Sequence, residues 1–540
     1  MILGTGSHVG KSLVTTALCR IFHQHGIRVA PFKSQNMSLN SAATPEGLEI
    51  GRAQALQAEA AGLAPSVDMN PILIKPSGHM SSQIVVRGRI WGQLTAASYH
   101  LRRVEELMPI VRESYHSLAA QHDLILLEGA GSPAEINLKQ HDIVNMRMAQ
   151  LADAACLLVG DIDRGGVFAS LLGTLLLLDA AEQQRIRGLI INKFRGDVTL
   201  LTPGLKMLQD RTGKPCLGVV PWRANLTLDE EDSLGLPKIY TSGWPPEEHP
   251  PGTPSIAAGA PSIAAGAPSI AAASQWVGRT PSGTRRLRIA VLALPSLANF
   301  TDFDSLCAEP SVDLRLVRTV QALDGADVLI LPGSKQTADD LAWLRRDGLA
   351  EAILQHTRSR PLIGVCGGLQ MLGTEIADPD GIEAAATVEG LGLLPFRTVM
   401  QPAKRTELAS GFLAQNFLFG EPAPRIPVSG YEIHIGATVY ESSASPFAYL
   451  AGGPDGCIST DSRIFGTYLH GIFDDDRFRH LFIRAARAAL QLCPPETLND
   501  WKRQREQALN DFAAHVEDSL DMPAIFALAG FPYQPRAGRA

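Results

Sequence analysis

The 540-residue chain has no Cys-x-x-Cys pair among its seven cysteines. That absence argues against a disulfide framework or a zinc site and for reduced thiols in a cytosol. No cluster of lysine and arginine occurs, and the net charge is −7, so nonspecific binding to nucleic acid is not expected. No apolar run is long enough for a membrane span; the longest, around Val167 to Ala181, carries small residues that suit a buried helix. The chain does not open with a charged stretch followed by an apolar one, so no signal peptide is expected. These absences together predict a soluble, cytoplasmic protein with neither nucleic-acid nor membrane partners. Hydrophobic residues make up 45% of the chain and charged residues 19%, ordinary for globular protein, and the length suits two to four domains.

What is present falls into two halves around a low-complexity stretch. From Trp244 to about Arg286 the chain is rich in Pro, Gly, Ser and Ala. Pro254–Ala260 recurs as Pro261–Ala267 and, truncated, as Pro268–Ala272. A seven-residue period suits a coiled coil, but a proline in every repeat excludes a continuous helix. The composition is that of a flexible linker. The expected division is a domain over 1–240, a linker over 241–286, a second domain over 287–478 and a helical extension over 479–540. In that extension Asp500 offers a helix start, and Leu509, Phe512, Ala513, Val516 and Leu520 recur at helical spacing, a core-packing pattern.

The segment Pro361-Leu362-Ile363-Gly364-Val365-Cys366-Gly367-Gly368-Leu369-Gln370-Met371-Leu372-Gly373 joins an apolar run to a helix through a small-residue turn. A thiol at such a turn is laid out like a nucleophile elbow. Backbone N–H groups at the helix start favour a thiolate. The flanking glycines weigh against a merely buried cysteine at a strand end. A nucleophilic thiol needs a base brought near by the fold. The best candidate is His470, ending the apolar run Phe465-Gly466-Thr467-Tyr468-Leu469-His470-Gly471; His434 is its rival.

The chain begins Met1-Ile2-Leu3-Gly4-Thr5-Gly6-Ser7-His8-Val9-Gly10-Lys11-Ser12, a short strand-like run, a glycine-rich loop and then a helix pattern. Loop N–H groups from Thr5, Gly6 and Gly10 suit phosphate, Lys11 suits the terminal phosphate oxygens, and the Ser12 hydroxyl suits Mg²⁺. The first strand is very short; either it starts upstream or it is a three-residue strand. Strand-like runs at Asp123–Leu127, Cys156–Gly160 and Gly188–Ile191 end at Glu128, at Asp161 and Asp163, and at Asn192. In a parallel α/β sheet, strand carboxyl ends form the ligand site. Glu128 is therefore expected to hold Mg²⁺ or its water, and Asn192 to meet adenine.

Residues 287–478 resemble class I glutamine amidotransferase domains. The resemblance implies Cys366 as nucleophile and His470 as base, with Gln370 near the glutamine pocket. Leu331-Pro332-Gly333-Ser334-Lys335 resembles the loop that forms the oxyanion hole, implying N–H groups of Gly333 and Gly367. Many members carry Glu two residues after the histidine; here that position is Ile472, so a Cys–His dyad is expected. The spacing Gly4 to Gly10 resembles the dethiobiotin synthetase group of P-loop proteins. Pro31–Asn40, Asn70–Pro76, Glu128–Leu138 and Asp161–Ser170 resemble the cobyric acid synthase family. The implied fold is α/β: an N-terminal P-loop parallel-sheet domain plus a C-terminal amidotransferase domain. The implied activity is ATP- and glutamine-dependent amidation of corrin carboxylates, with ATP and Mg²⁺ as co-substrate and no tightly bound cofactor. Glutamine, ATP and a corrinoid are the implied partners. Lys33, also expected at the ATP site, Lys75 and Arg164 would supply positive charge near phosphates or an acidic substrate. Other readings stay open. One is the same chemistry on another acid, as in cobyrinic acid a,c-diamide synthase or a peptidoglycan-precursor amidotransferase. Another is a P-loop switch ATPase, whose early signature lysine is replaced here by Gly6. A third is a noncatalytic module, against which Lys11, Ser12, Cys366 and His470 stand together.

Overall fold

The computed structural model describes residues 1–77, 81–95, 98–99, 103–223, 228, 239–244, 285–383 and 387–535. The proline-containing repeats and the body of the expected linker lie outside these residues.

In the N-terminal half, strands Ile2–Gly4, Cys156–Asp161, Ile186–Phe194 and Cys216–Pro221 form a parallel sheet in that order. The pair Val29–Phe32 and Leu124–Leu127, also parallel, joins its edge through the bridge from Ile2 to Glu128. These strands read as unbroken apolar runs because both faces are covered. Leu158, Leu189 and Ile191 enter one core, whereas Val159 and Ile190 enter the other. The first strand is Ile2–Gly4, and the helix Lys11–Gln24 follows its loop. Parallel order brings Gly4, Glu128, Asp161 and Asn192 to one edge of the sheet. A smaller sheet of Gln35–Met37, Ile72–Ser77, Ser81–Val86 and Arg89–Thr95 extends the half toward its neighbour.

The apolar run after Val167 differs from expectation. It forms the helix Val167–Leu177 with only one face buried, leaving Leu176 70% exposed. Among the described residues no helix is long and apolar enough to cross a membrane.

The C-terminal half is built on a sheet in the order Ile239–Tyr240, Val312–Val317, Leu287–Leu292, Val328–Leu331, Leu362–Val365, Ile464–Thr467 and Cys457–Ile458. All neighbours are parallel except the last pair. Beside it, the long strands Phe396–Leu413 and Pro427–Tyr440 pair antiparallel and carry Leu469–His470 at one edge. Ile239–Tyr240 lies on the N-terminal side of the expected linker, yet it pairs in this sheet, and Trp244 is buried in the same core. The C-terminal half thus takes its first strand from before the linker. The helix Asp476–Ala489 runs through the expected boundary at 478 and buries Phe478 and Phe482 in that core.

The remaining tail returns to the N-terminal half. Asp500 caps the helix Trp501–Ser519, accepting from the Arg503 N–H at 2.9 Å. Leu509, Phe512, Ala513, Val516 and Leu520 are buried as the periodicity predicts, but against Leu18, Ile21 and Phe22 of the loop's helix. Phe526, in the helix Met522–Ala529, is fully buried with its ring 4.5 Å from Phe22. Phe526→Ala is expected to cost about 3–5 kcal/mol. The calorimetric transition of the N-terminal half should fall; an unmoved transition would show that the tail does not support this half.

Candidate active site

Cys366 follows the strand Leu362–Val365 and is the N-cap of the helix Gly367–Leu372, at φ 53° and ψ −108°. A non-glycine residue rarely adopts this conformation, and the packing explains it. A Cβ at Gly368 would lie 2.0 Å from the Leu331 carbonyl oxygen, so the helix start sits directly against the neighbouring strand. The chain has to turn sharply at residue 366, which holds the thiol at the carboxyl edge of the sheet. The thiol donates to the Ile433 carbonyl at 3.6 Å. Gly367 packs against Ser334, and Gly333 against the His470 ring, so the two glycines expected as oxyanion donors flank the thiol. Gln370 is buried beside it, donating to the Ile435 carbonyl at 3.0 Å and accepting from Thr337 Oγ1 at 3.1 Å.

His470 reaches this point from the edge strand of the second sheet and lines the same cleft as Cys366. The expected dyad is corrected here. Asp302 Oδ2 lies 2.7 Å from His470 Nδ1, and its other oxygen accepts from the Gly471 N–H at 3.0 Å. The arrangement is therefore Cys–His–Asp, with the acid supplied by the loop after Leu287–Leu292 instead of position 472. Tyr431 stacks on the imidazole at 5.3 Å. Burial alone would lower the His470 pKa, but Asp302 and Cys366 overcome it and push it up to about 10. An imidazolium held beside a thiol favours the thiolate, and it can later return its proton to a leaving amine. The rival His434 is not so placed: it stacks on Tyr468 at 3.8 Å, with Nδ1 3.1 Å from the Gly436 carbonyl.

Besides Cys366, His470, Gly333 and Gln370, the cleft around the thiol is lined by Lys335, Glu383 and Lys404, and by Lys75 from the other half. Lys75, expected near phosphate or acidic substrate, thus stands in the cleft of the thiol.

At the second site, Lys11 is buried and donates to the carbonyls of Gly6 at 2.7 Å and Gly131 at 3.0 Å. Ser12 Oγ donates to Glu128 Oε1 at 2.7 Å; Lys33 Nζ meets the same oxygen at 2.9 Å, and Gln57 donates to Oε2 at 2.6 Å. Ser12 and Glu128 are adjacent hard oxygen donors at a loop built for phosphate, which suits Mg²⁺ completed by water and phosphate oxygens. Asn192 lies under the loop, donating to the Val9 carbonyl at 2.9 Å. A Cβ at Gly10 would lie 2.0 Å from its Nδ2, and Gly10 has φ +98°, so only glycine fits. Asp161 and Asp163 pair with Lys193 and Arg195. Sequence reasoning missed Asp302, Gln57, Glu383 and Lys404. Only Asp302 left a signal, as an acid soon after the first long apolar run of its half.

Two family models match the chain: a CobB/CobQ-like glutamine amidotransferase domain over residues 288–478, and a CobQ/CobB/MinD/ParA nucleotide binding domain over residues 1–235. Fold and sites thus define a glutamine amidotransferase joined to a P-loop nucleotide-binding domain. Cobyric acid synthase of Moorella thermoacetica is 44% identical over 98% of this chain and 97% of its own. The cobyric acid synthases of a Thermoanaerobacter species and of Yersinia enterocolitica are each 43% identical, covering 98% and 99% of both chains. The chain belongs to the cobyric acid synthase family and is an ATP-dependent, glutamine-hydrolysing carbon–nitrogen ligase.

Asp302→Asn is expected to lower glutaminase kcat/KM by about 10²–10⁴. Because Asp302 raises the His470 pKa, its removal should also move the alkaline limb of the pH–kcat/KM profile to lower pH. An unchanged profile would remove Asp302 from the catalytic set.

Proposed function

We propose that the chain amidates the b, d, e and g side-chain carboxylates of adenosylcobyrinic acid a,c-diamide, giving adenosylcobyric acid, with ammonia taken from glutamine. The observation that carries this reading is the shared cleft, in which Lys75 of the nucleotide half lines the same pocket as Cys366. The Cys366 thiolate attacks the γ-amide carbon, and the resulting oxyanion meets the N–H groups of Gly333 and Gly367. His470, oriented by Asp302, gives its proton to the departing ammonia, and water then cleaves the γ-glutamyl thioester. Gln370 helps shape the glutamine pocket.

In the other half, the γ-phosphoryl group of ATP passes to a corrin carboxylate oxygen. Ammonia attacks the acyl phosphate carbon, and phosphate leaves. N–H groups of Thr5, Gly6 and Gly10 cradle the phosphates, and Lys11 exchanges its carbonyl partners for phosphate oxygens. Ser12 and Glu128 would hold Mg²⁺, which when bound neutralises phosphate charge; Lys33 anchors Glu128. Asn192, next to the loop, has its Oδ1 for the adenine amino group. ATP and Mg²⁺ serve as co-substrate, and no tightly bound cofactor is required. Free thiols exposed at Cys307 and Cys493 suit a reducing cytoplasm.

Purified chain given the a,c-diamide, ATP, Mg²⁺ and glutamine should yield corrinoids carrying successive new amides by mass spectrometry. Cys366→Ser should lose the glutamine-dependent product and keep it with high free ammonia. Absence of amidated corrinoid under both nitrogen sources would refute the acceptor assignment, and loss with both in the variant alone would refute the role of the thiol.

A further inference from the structure

A buried ion cluster joins the two halves at the thiol's cleft. Lys75, on the strand Ile72–Ser77, lies 2.5 Å from Glu49 Oε1 and donates to Ser41 Oγ at 2.9 Å. Lys404, on the strand Phe396–Leu413 of the opposite half, donates to Glu49 Oε2. The Glu49 side chain is fully buried, and those of Lys75 and Lys404 are 6% and 11% exposed. Both lysines line the cleft of Cys366. Among the described residues Lys404 donates to Glu49 alone, leaving ammonium hydrogens for a ligand.

Buried charges persist only when paired. Burial would raise the Glu49 carboxyl, but Lys404 and Lys75 hold it below the usual carboxylate range. Burial lowers Lys404 to about 7, against the attraction of Glu49 and helped by Lys75 and Lys335. Without Glu49, Lys404 would lose the carboxylate that keeps it charged. Elsewhere in the cleft Glu383 accepts from the Thr337 N–H at 2.8 Å and is raised to about 7 by burial, against Lys335. His434 Nε2 is buried there with no hydrogen-bond partner; its nearest carboxylate oxygen, Glu432 Oε1, is 3.8 Å away. A pocket with a carboxylate, lysine ammonium groups and an unsatisfied buried nitrogen matches a zwitterionic amino-acid head.

We propose that Glu49 and Lys75, from the nucleotide half, are positioning residues of the glutaminase: they hold the Lys404 ammonium in the cleft, where it receives the α-carboxylate of glutamine. This rests on the glutaminase reading of Cys366. It makes the glutamine site a product of both halves, so glutamine is gripped only when they are docked.

The test compares hydrolysis of glutamine with that of 4-aminobutanamide, which lacks the α-carboxylate, in the full-length chain. The native chain should prefer glutamine. Lys404→Met should reduce that preference about tenfold or more through KM, the scale of one charge-assisted hydrogen bond. Glu49→Gln should reduce it in the same sense, though less. Lys404→Gln carries the same expectation should the methionine variant fail to fold. A preference unchanged in the Lys404 variant, or reduced there but untouched in Glu49→Gln, overturns the proposal alone. So does equal loss on both amides. A native chain that hydrolyses neither amide overturns it together with the glutaminase reading.

Discussion

A carboxylate taken out of water has to be met by donors, and this requirement organises three charged sites among the described residues. Asp302 is met by His470 and the Gly471 N–H. Glu128 is met by Ser12, Lys33 and Gln57. Glu49 is met by lysines from both halves. In each case the carboxylate holds a donor in place: an imidazole, a hydroxyl at the glycine-rich loop, an ammonium facing the cleft. The acid fixes charge and position together, so pairing and preorganisation are the same interaction.

The two halves use one architectural device. Parallel strands end at a common edge, and the turns after Ile2–Gly4, Leu124–Leu127 and Leu362–Val365 carry Lys11, Glu128 and Cys366. Cys366 and Lys11 both stand at or just beyond a strand-to-helix turn at such an edge. The long antiparallel strands of the C-terminal half add a second surface, which delivers His470 to the thiol and Lys404 to Glu49. Asn299 ties the halves further: its Oδ1 accepts from the Ser41 N–H at 3.0 Å, while its amide lies 3.4 Å from His470 Nε2. The last helices fold back onto the loop's own helix, so the N-terminal half closes its core with the end of the chain.

The sequence was most legible where function is written into contiguous residues. The turn around Cys366, the loop before Lys11 and the acid at Glu128 follow apolar runs, so their placement at the sheet edges could be read. Partners supplied by distant segments could not. Asp302 replaces an acid sought at position 472 because orientation of the imidazole requires proximity in space, not in sequence. Ile239–Tyr240 is too short to show strand periodicity, which hid its place in the second sheet. The tail helix showed its apolar face plainly, but no pattern in one helix reveals which half it covers. Lys404 lies on a long strand whose other charged residues include exposed ones such as Arg405, so its burial beneath the interface left no trace.

The central claim is that ammonia released at Cys366 is consumed at the site of Lys11 within one polypeptide. The most direct measurement supplies glutamine labelled with ¹⁵N in its amide, together with unlabelled ammonium in the medium, and reads the nitrogen of the new corrinoid amides by mass spectrometry. The account predicts amides enriched in ¹⁵N beyond the fraction in the bulk ammonium. Product amides carrying only the isotope ratio of the medium would contradict it.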